Sequence, residues 1–201
     1  SVPCRPFDID RQGLNLGEAA ATIVLGRGGR GWAIQAGAVR NDAYDITAPS
    51  RNGEGAFRAL RAVLQGTAID ELALLNAHGV ASMFMDQMES AAIQRAGLTA
   101  VPVNSLKGYF GHTLGAAGVL ETILTMRSLE ESMIIGTKGF GELGVSGRIQ
   151  VSAHPQTTDK RRFVKMLSGF GGCNAALLVS DHGDGSADQS LRERDQQNRP
   201  H

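Results

Sequence analysis

The chain has 201 residues, 42% of them hydrophobic, and 20 Lys and Arg balance 20 Asp and Glu for a formal net charge of zero. That length can bury one substantial core, and balanced charge without a basic run among aromatics excludes nucleic acid as an expected partner. No apolar run reaches membrane-spanning length and no secretory signal is read at the start, so Cys4 and Cys173 are expected as free thiols in a reducing, cytoplasmic setting.

In chain order, the opening Ser1-Val2-Pro3 lacks a methionine and reads as the start of a piece of something longer. Glu18 to Leu25 (EAAATIVL) predicts a buried strand and Trp32 to Arg40 its partner, joined by the glycine-rich stretch from Gly26 to Gly31. Those glycines open no helix, so a hairpin turn is expected there and not a phosphate loop. A loop containing Thr47-Ala48-Pro49 runs from Asn41 to Gly53. Ala56, Phe57, Leu60, Val63 and Leu64 then form a helical stripe over 54–64. Leu72 to Asn76 predicts a short buried strand running into His78, Asp86 to Ala96 an amphipathic helix, and Val101-Pro102-Val103 another short strand.

Gly115 to Leu129 predicts a helix with few charges, central and buried, whose small residues Ala116, Ala117 and Gly118 admit a close neighbour. Phe163 to Leu167 and Asn174 to Ser180 predict closing strands around a glycine turn. The stretch 182–201 is too polar to bury enough surface to order itself. Strands alternating with helices place the chain among layered α/β folds, with chemistry expected where strands end and helices begin.

Three segments carry the candidate chemistry: Asn76-Ala77-His78-Gly79, Lys107 to His112, and Gly169-Phe170-Gly171-Gly172-Cys173-Asn174. Each has an ordinary reading. A lone histidine at a strand end is commonly structural, and an exposed lysine needs no role. Asp86 and Glu89 near a helix start offset its dipole, and Cys173 is a small filler without an activating neighbour. Together, two imidazoles, a cation and a glycine turn suit chemistry on a carbonyl, but no nucleophile accompanies them.

The ordered set resembles the C-terminal half of a β-ketoacyl-acyl carrier protein synthase, a condensing enzyme of the thiolase superfamily. The resemblance runs through Cys4-Arg5-Pro6-Phe7-Asp8, Arg11, Gly13, Gly17-Glu18, Asp42-Ala43-Tyr44 and Thr47-Ala48-Pro49. It continues through Asn76 to Gly79 with Asp86 and Glu89, Ser105-Leu106-Lys107, Gly111 to Gly118, and Gly169 to Ala175. It implies a thiolase-like layered αβαβα fold. In that scheme residues 1–52 hold the last strands of the N-terminal half, 53–181 the C-terminal half, and 182–201 a disordered polar tail.

The resemblance further implies decarboxylative Claisen condensation of a malonyl thioester with an acyl-enzyme. His78 and His112 would donate to the enolate, and Lys107, set against Glu89, would hold the local charge. The Phe170 N–H would serve the acyl oxyanion while its ring gates the pocket, with Gly171 and Gly172 letting the loop move. The family places threonines two and four residues after the first histidine, against the pantetheine arm. Val80 and Ser82 stand there in this chain. No resident cofactor or metal is implied, because phosphopantetheine arrives on the acyl carrier protein. The implied partners are that carrier, malonyl and acyl thioesters, the N-terminal half bearing the nucleophilic cysteine, and a homodimeric or heterodimeric mate. Cys4 falls at a structural position. The alternative is a non-catalytic, chain-length-factor-like subunit, and a hydrolase or lyase using Cys173 is a remote third.

Overall fold

The computed structural model describes residues 3–28 and 31–181. Gly29 and Arg30 of the glycine-rich stretch, and the polar tail expected over 182–201, lie outside the described residues. The strands are β1 (Trp32–Asn41), β2 (Leu74–Asn76), β3 (Pro102–Asn104), β4 (Met133–Ile134), β5 (Gln150–Val151), β6 (Gln156–Thr157), β7 (Arg162–Gly169) and β8 (Cys173–Asp181). The helices are α1 (Glu54–Val63), α2 (Met83–Arg95), the single turn α3 (Lys107–Phe110) and α4 (Ala117–Glu130).

Six strands form one mixed sheet in the order β1-β8-β7-β2-β3-β5, and β4 pairs with β6. β8 runs antiparallel to both of its neighbours, β1 and β7, whereas β7, β2, β3 and β5 are mutually parallel. Side chains alternate across a strand, and the central strands are apolar on both faces. Leu75, Val164, Met166 and Leu178 pack with Leu60 and Val63 of α1 and Met88 and Ile93 of α2. Leu74, Phe163 and Val179 pack with Leu129 and Met126 of α4 on the other side. The result is a helix–sheet–helix sandwich, the layered α/β class that the alternation of elements predicts.

Local chemistry sets the helix boundaries. α1 begins at Gly53, whose φ of 63° is left-handed and where a Cβ would sit 2.7 Å from the Met88 carbonyl oxygen, so only glycine fits without displacement. α2 starts three residues before the predicted Asp86, because the Ser82 hydroxyl accepts from the Met85 N–H and caps it.

Three expectations are corrected. Glu18 to Leu25 is not a strand: it has no ladder partner among the described residues, and Val24 and Leu25 lie exposed. The apolar pattern suits a strand, but a strand needs a neighbouring edge to bond its amides, so no hairpin joins this segment to β1. Trp32–Asn41 pairs along its length with β8, so it lies in the same sheet as β7 and β8 and is not the hairpin partner of Glu18 to Leu25. Lastly, α4 begins at Ala117 after a 3-10 turn over Leu114–Ala116, and it is buried along one side (Ala117, Glu121, Thr125, Ser128) while Val119, Leu120, Ile123 and Leu124 stay half-buried.

Candidate active site

The candidate residues gather at one end of the sheet, beyond the C-terminal ends of the parallel strands β2, β3 and β7. β2 leads through Ala77 to His78, β3 leads to Lys107 and His112, and β7 ends at the turn carrying Phe170. Asn76 and Asn104, register partners on β2 and β3, tie the strand ends by a 2.8 Å side-chain bond. The Ser105 hydroxyl donates to the Gly79 carbonyl at 2.7 Å. Gly79 has φ +38°, and a Cβ there would lie 2.6 Å from that of Ser105, so this crossing excludes any larger residue.

The two imidazoles meet edge to face, ring centroids 5.1 Å apart at 80°. His112 Nδ1 accepts from the Leu114 N–H at 3.1 Å, which assigns the neutral ring's proton to Nε2 and makes that nitrogen a donor. His112 is further fixed by its backbone: its N–H donates to the Asn15 carbonyl at 2.7 Å, and its carbonyl accepts from Gly17 N–H at 3.0 Å. His78 is buried and its Nδ1 has no partner among the described residues. Burial, then Lys107, Lys165 and His112, lower its pKa well below the ordinary imidazole value. Burial and Lys107 lower that of His112 as well. Both rings are therefore neutral near pH 7, the state in which an imidazole can donate one N–H without carrying charge.

Beneath them lies a buried ionic cluster. Lys107 Nζ donates to Glu121 Oε1 at 2.7 Å, and Lys165 Nζ bonds the other oxygen of the same carboxylate. All three side chains are essentially without solvent contact. Paired this way, Glu121 stays ionised despite burial, its pKa pulled down chiefly by Lys165 and Lys107. The expected partnership of Lys107 with Glu89 is corrected. Glu89 instead accepts the N–H groups of His78 at 2.6 Å and Gly79 at 2.8 Å, so it holds backbone while Glu121 takes the lysine. Asp86 similarly accepts from Phe7, Val80 and Ala81 N–H at 2.7, 3.0 and 3.1 Å.

Glu121 and Lys165 are absent from the expected set. A sequence signal existed for Lys165: a lone charge inside Phe163-Val164-Lys165-Met166-Leu167, where burial demands a partner.

Of the other expected residues, Phe170 is 86% exposed on the β7–β8 turn. That turn is braced by Gly171 N–H to the Ile46 carbonyl at 2.7 Å and by Asp42 N–H to the Gly172 carbonyl at 2.8 Å; Gly171 and Gly172 both have positive φ. Val80 is buried, with its carbonyl facing the Cys4 thiol at 3.7 Å. Ser82 is half-buried and is the α2 cap already described. Burial pushes the Cys4 thiol up to about 11, which keeps it protonated and inert. Among the described residues no group of three His, Cys, Asp or Glu could hold a metal ion, and no helix is long and apolar enough to cross a membrane.

Residues 32–140 match the family described as beta-ketoacyl synthase, C-terminal domain. The chain belongs to this family. The 3-oxoacyl-[acyl-carrier-protein] synthase 2 of Rhizobium meliloti (strain 1021) is 34% identical over 87% of this chain and 45% of its own length. A solved structure described as the ishigamide ketosynthase/chain length factor superposes with TM-score 0.79 at 27% identity, over 90% of this chain and 48% of that one. A beta-ketoacyl synthase from Burkholderia phymatum STM815 gives 0.76 at 26% identity, over 88% and 46%. The fold is thus the thiolase-like one of the ketosynthases, and the chain spans about half the length of the relatives it matches.

Proposed function

We propose that this chain is the C-terminal half of a β-ketoacyl-acyl carrier protein synthase and supplies the decarboxylation machinery of a Claisen condensation. The observation that carries this reading is the pair of neutral imidazoles, one with its donor nitrogen assigned, set over a fully paired buried cluster. When a malonyl thioester loses carbon dioxide, the electron pair of the broken C–C bond becomes an enolate, with charge on the thioester oxygen. N–H donors from His78 and His112 stabilise that charge as it forms, at ~3–4 kcal/mol per donor. The enolate carbon then attacks the acyl thioester of a cysteine in the other half, forming the new C–C bond and releasing the thiolate. In this reading the Phe170 N–H serves that second oxyanion, and Val80 and Ser82 meet the pantetheine arm.

The substrates are malonyl and acyl thioesters delivered on an acyl carrier protein, so no resident cofactor is needed. The working unit is a dimer completed by the N-terminal half, in the cytoplasm. The exposed apolar residues Leu16, Val24, Leu25, Val39, Tyr44 and Ile46 support a missing companion surface. The similarity to a ketosynthase/chain length factor structure favours one second reading, a partner subunit without a nucleophile.

The test is carbon dioxide release from malonyl-carrier by the complete enzyme, beside acyl loading of its cysteine. His112→Ala should lower release by about 10²–10³-fold and leave loading intact, because loading generates no enolate. Failure mainly at loading would remove the assigned role. A complete protein with no loadable cysteine would establish the partner subunit.

A further inference from the structure

Lys165 lies mid-strand in β7 with no solvent contact to speak of, where an ammonium is costly unless paired. The condensation scheme above gives it no task. Its Nζ has two partners: Glu121 Oε2 and the Ala77 carbonyl oxygen, the latter at 3.3 Å. The Ala77 carbonyl and the His78 N–H are the two ends of one peptide group. That N–H donates to Glu89 at 2.6 Å. Buried charges from β7 and α2 therefore hold both polar ends of the peptide from which His78 springs. Through Glu121 the same lysine is joined to Lys107, on the single helical turn leading to His112.

We propose that Lys165 is a positioning residue, which locks the Ala77–His78 peptide and couples it through Glu121 to the turn that carries His112. This rests on the condensing-enzyme reading for its catalytic consequence but not for its geometry. The charged and titratable groups facing it are Lys107 of α3, Glu121 of α4, Glu89 of α2 and the two imidazoles. Burial and Lys107 lower its pKa to about 8 against the pull of Glu121, so it is still mostly charged near pH 7. With Lys107 it adds positive potential beside both rings, which keeps them neutral.

The experiment compares wild type, Lys165→Met and Lys165→Gln in the complete enzyme, reading malonyl decarboxylation and the 15N-histidine titrations separately. Met removes both bonds and the charge but leaves the Lys107–Glu121 pair. It should lower kcat about tenfold to a hundredfold through misplacement of His78, with KM little changed. His78 and His112 should then titrate at higher pH than in wild type. Gln, which can still donate to a carbonyl, should recover part of kcat without restoring the titration, and it provides the reading if Met does not fold. A lower Tm with unchanged kcat and unchanged histidine titrations would reduce Lys165 to packing and overturn the proposal. If wild type itself releases no carbon dioxide while the variants still move the titrations, the positioning stands and the condensing reading falls.

Discussion

Two ends of this chain treat polar and apolar groups in opposite ways. At the histidine end, Lys107, Glu121, Lys165, Glu89 and Asp86 are buried and each is bonded to a named partner within the chain. Over residues 14–46, by contrast, apolar side chains such as Leu16, Val24, Val39 and Ile46 lie exposed beside a segment with no ladder partner. The charged groups of the first region are paired by its own residues. The second is a surface of the kind that waits for another protein. The difference teaches that the buried charged groups are preorganised within this chain, and the exposed face supports the proposed companion half.

The sharpest way to break that comparison is to unbalance the finished end. Glu121→Gln leaves two lysines facing each other without the carboxylate that bonds both, in a dry site where Glu89 is engaged by backbone N–H groups. Removing one member of a buried ionic group costs ~3–5 kcal/mol. The variant should therefore show a greatly lowered urea midpoint, and a loss under ~1 kcal/mol would mean that water reaches the cluster. A Leu placed at all three positions is the informative contrast, since a well-packed apolar set is often tolerated where a half-broken ion pair is not.

The exposed end should respond the other way. Val24→Asp together with Val39→Asp touches no packed contact of this chain, so its own unfolding free energy should move by no more than ~0.5 kcal/mol. Association with the segment that completes the enzyme should weaken by ~2 kcal/mol or more, as for charge buried in an interface centre. Equal effects on folding and association, read by urea melts and co-purification, would show that the face belongs to the chain's own core.

What could be read in the sequence divides along the same line. The stripe of Ala56, Leu60 and Val63, and the apolar runs on either side of Gly169 to Gly172, announce α1, β7 and β8, because each element buries a face within this chain. The positions of His78, His112 and Phe170 come from the ordered motifs and not from periodicity. Glu18 to Leu25 misleads because its pattern is that of a strand whose edge partner is not among the described residues. The Lys107–Glu121–Lys165 bridge was out of reach by spacing: Glu121 and Lys165 are 44 positions apart, and only packing of α4 on β7 joins them. Glu89 looked like the natural partner for a lysine, but two backbone N–H groups claim it.

Changing pH should sharpen the contrast at the finished end. Burial lowers the pKa values of His78 and His112, so the unfolded chain binds more protons there and their contribution to stability falls as pH drops below about 6.5. Burial raises Asp86 to about 7 and raises Glu89 as well, and these two contribute in the opposite direction. Lys165, at about 8 when folded against 10.5, also binds more protons unfolded, so its contribution raises stability as pH climbs from about 8 toward 10.5. Urea melts of Lys165→Met should lose that alkaline rise, and its histidine contribution at acid pH should shrink. If wild type and variant had parallel profiles above pH 8, Lys165 would not be titrating in the folded state.

The smallest effect concerns Ser82, which has two candidate tasks. Its hydroxyl caps α2 through the Met85 N–H at 3.1 Å, and by its position it is also proposed to lie toward the pantetheine arm. Ser82→Ala removes both and should cost ~1 kcal/mol of stability. Ser82→Asn keeps a capping oxygen of equal quality, so its Tm should match wild type, but it replaces the hydroxyl with a bulkier amide. In the complete enzyme, a change of KM for malonyl-carrier in Ser82→Asn at unchanged kcat would assign the hydroxyl to substrate binding, since uniform binding is read in KM. If Ser82→Asn kept both KM and Tm while Ser82→Ala lost only stability, Ser82 would be a helix cap and nothing more, and contact with the arm would have to come from elsewhere.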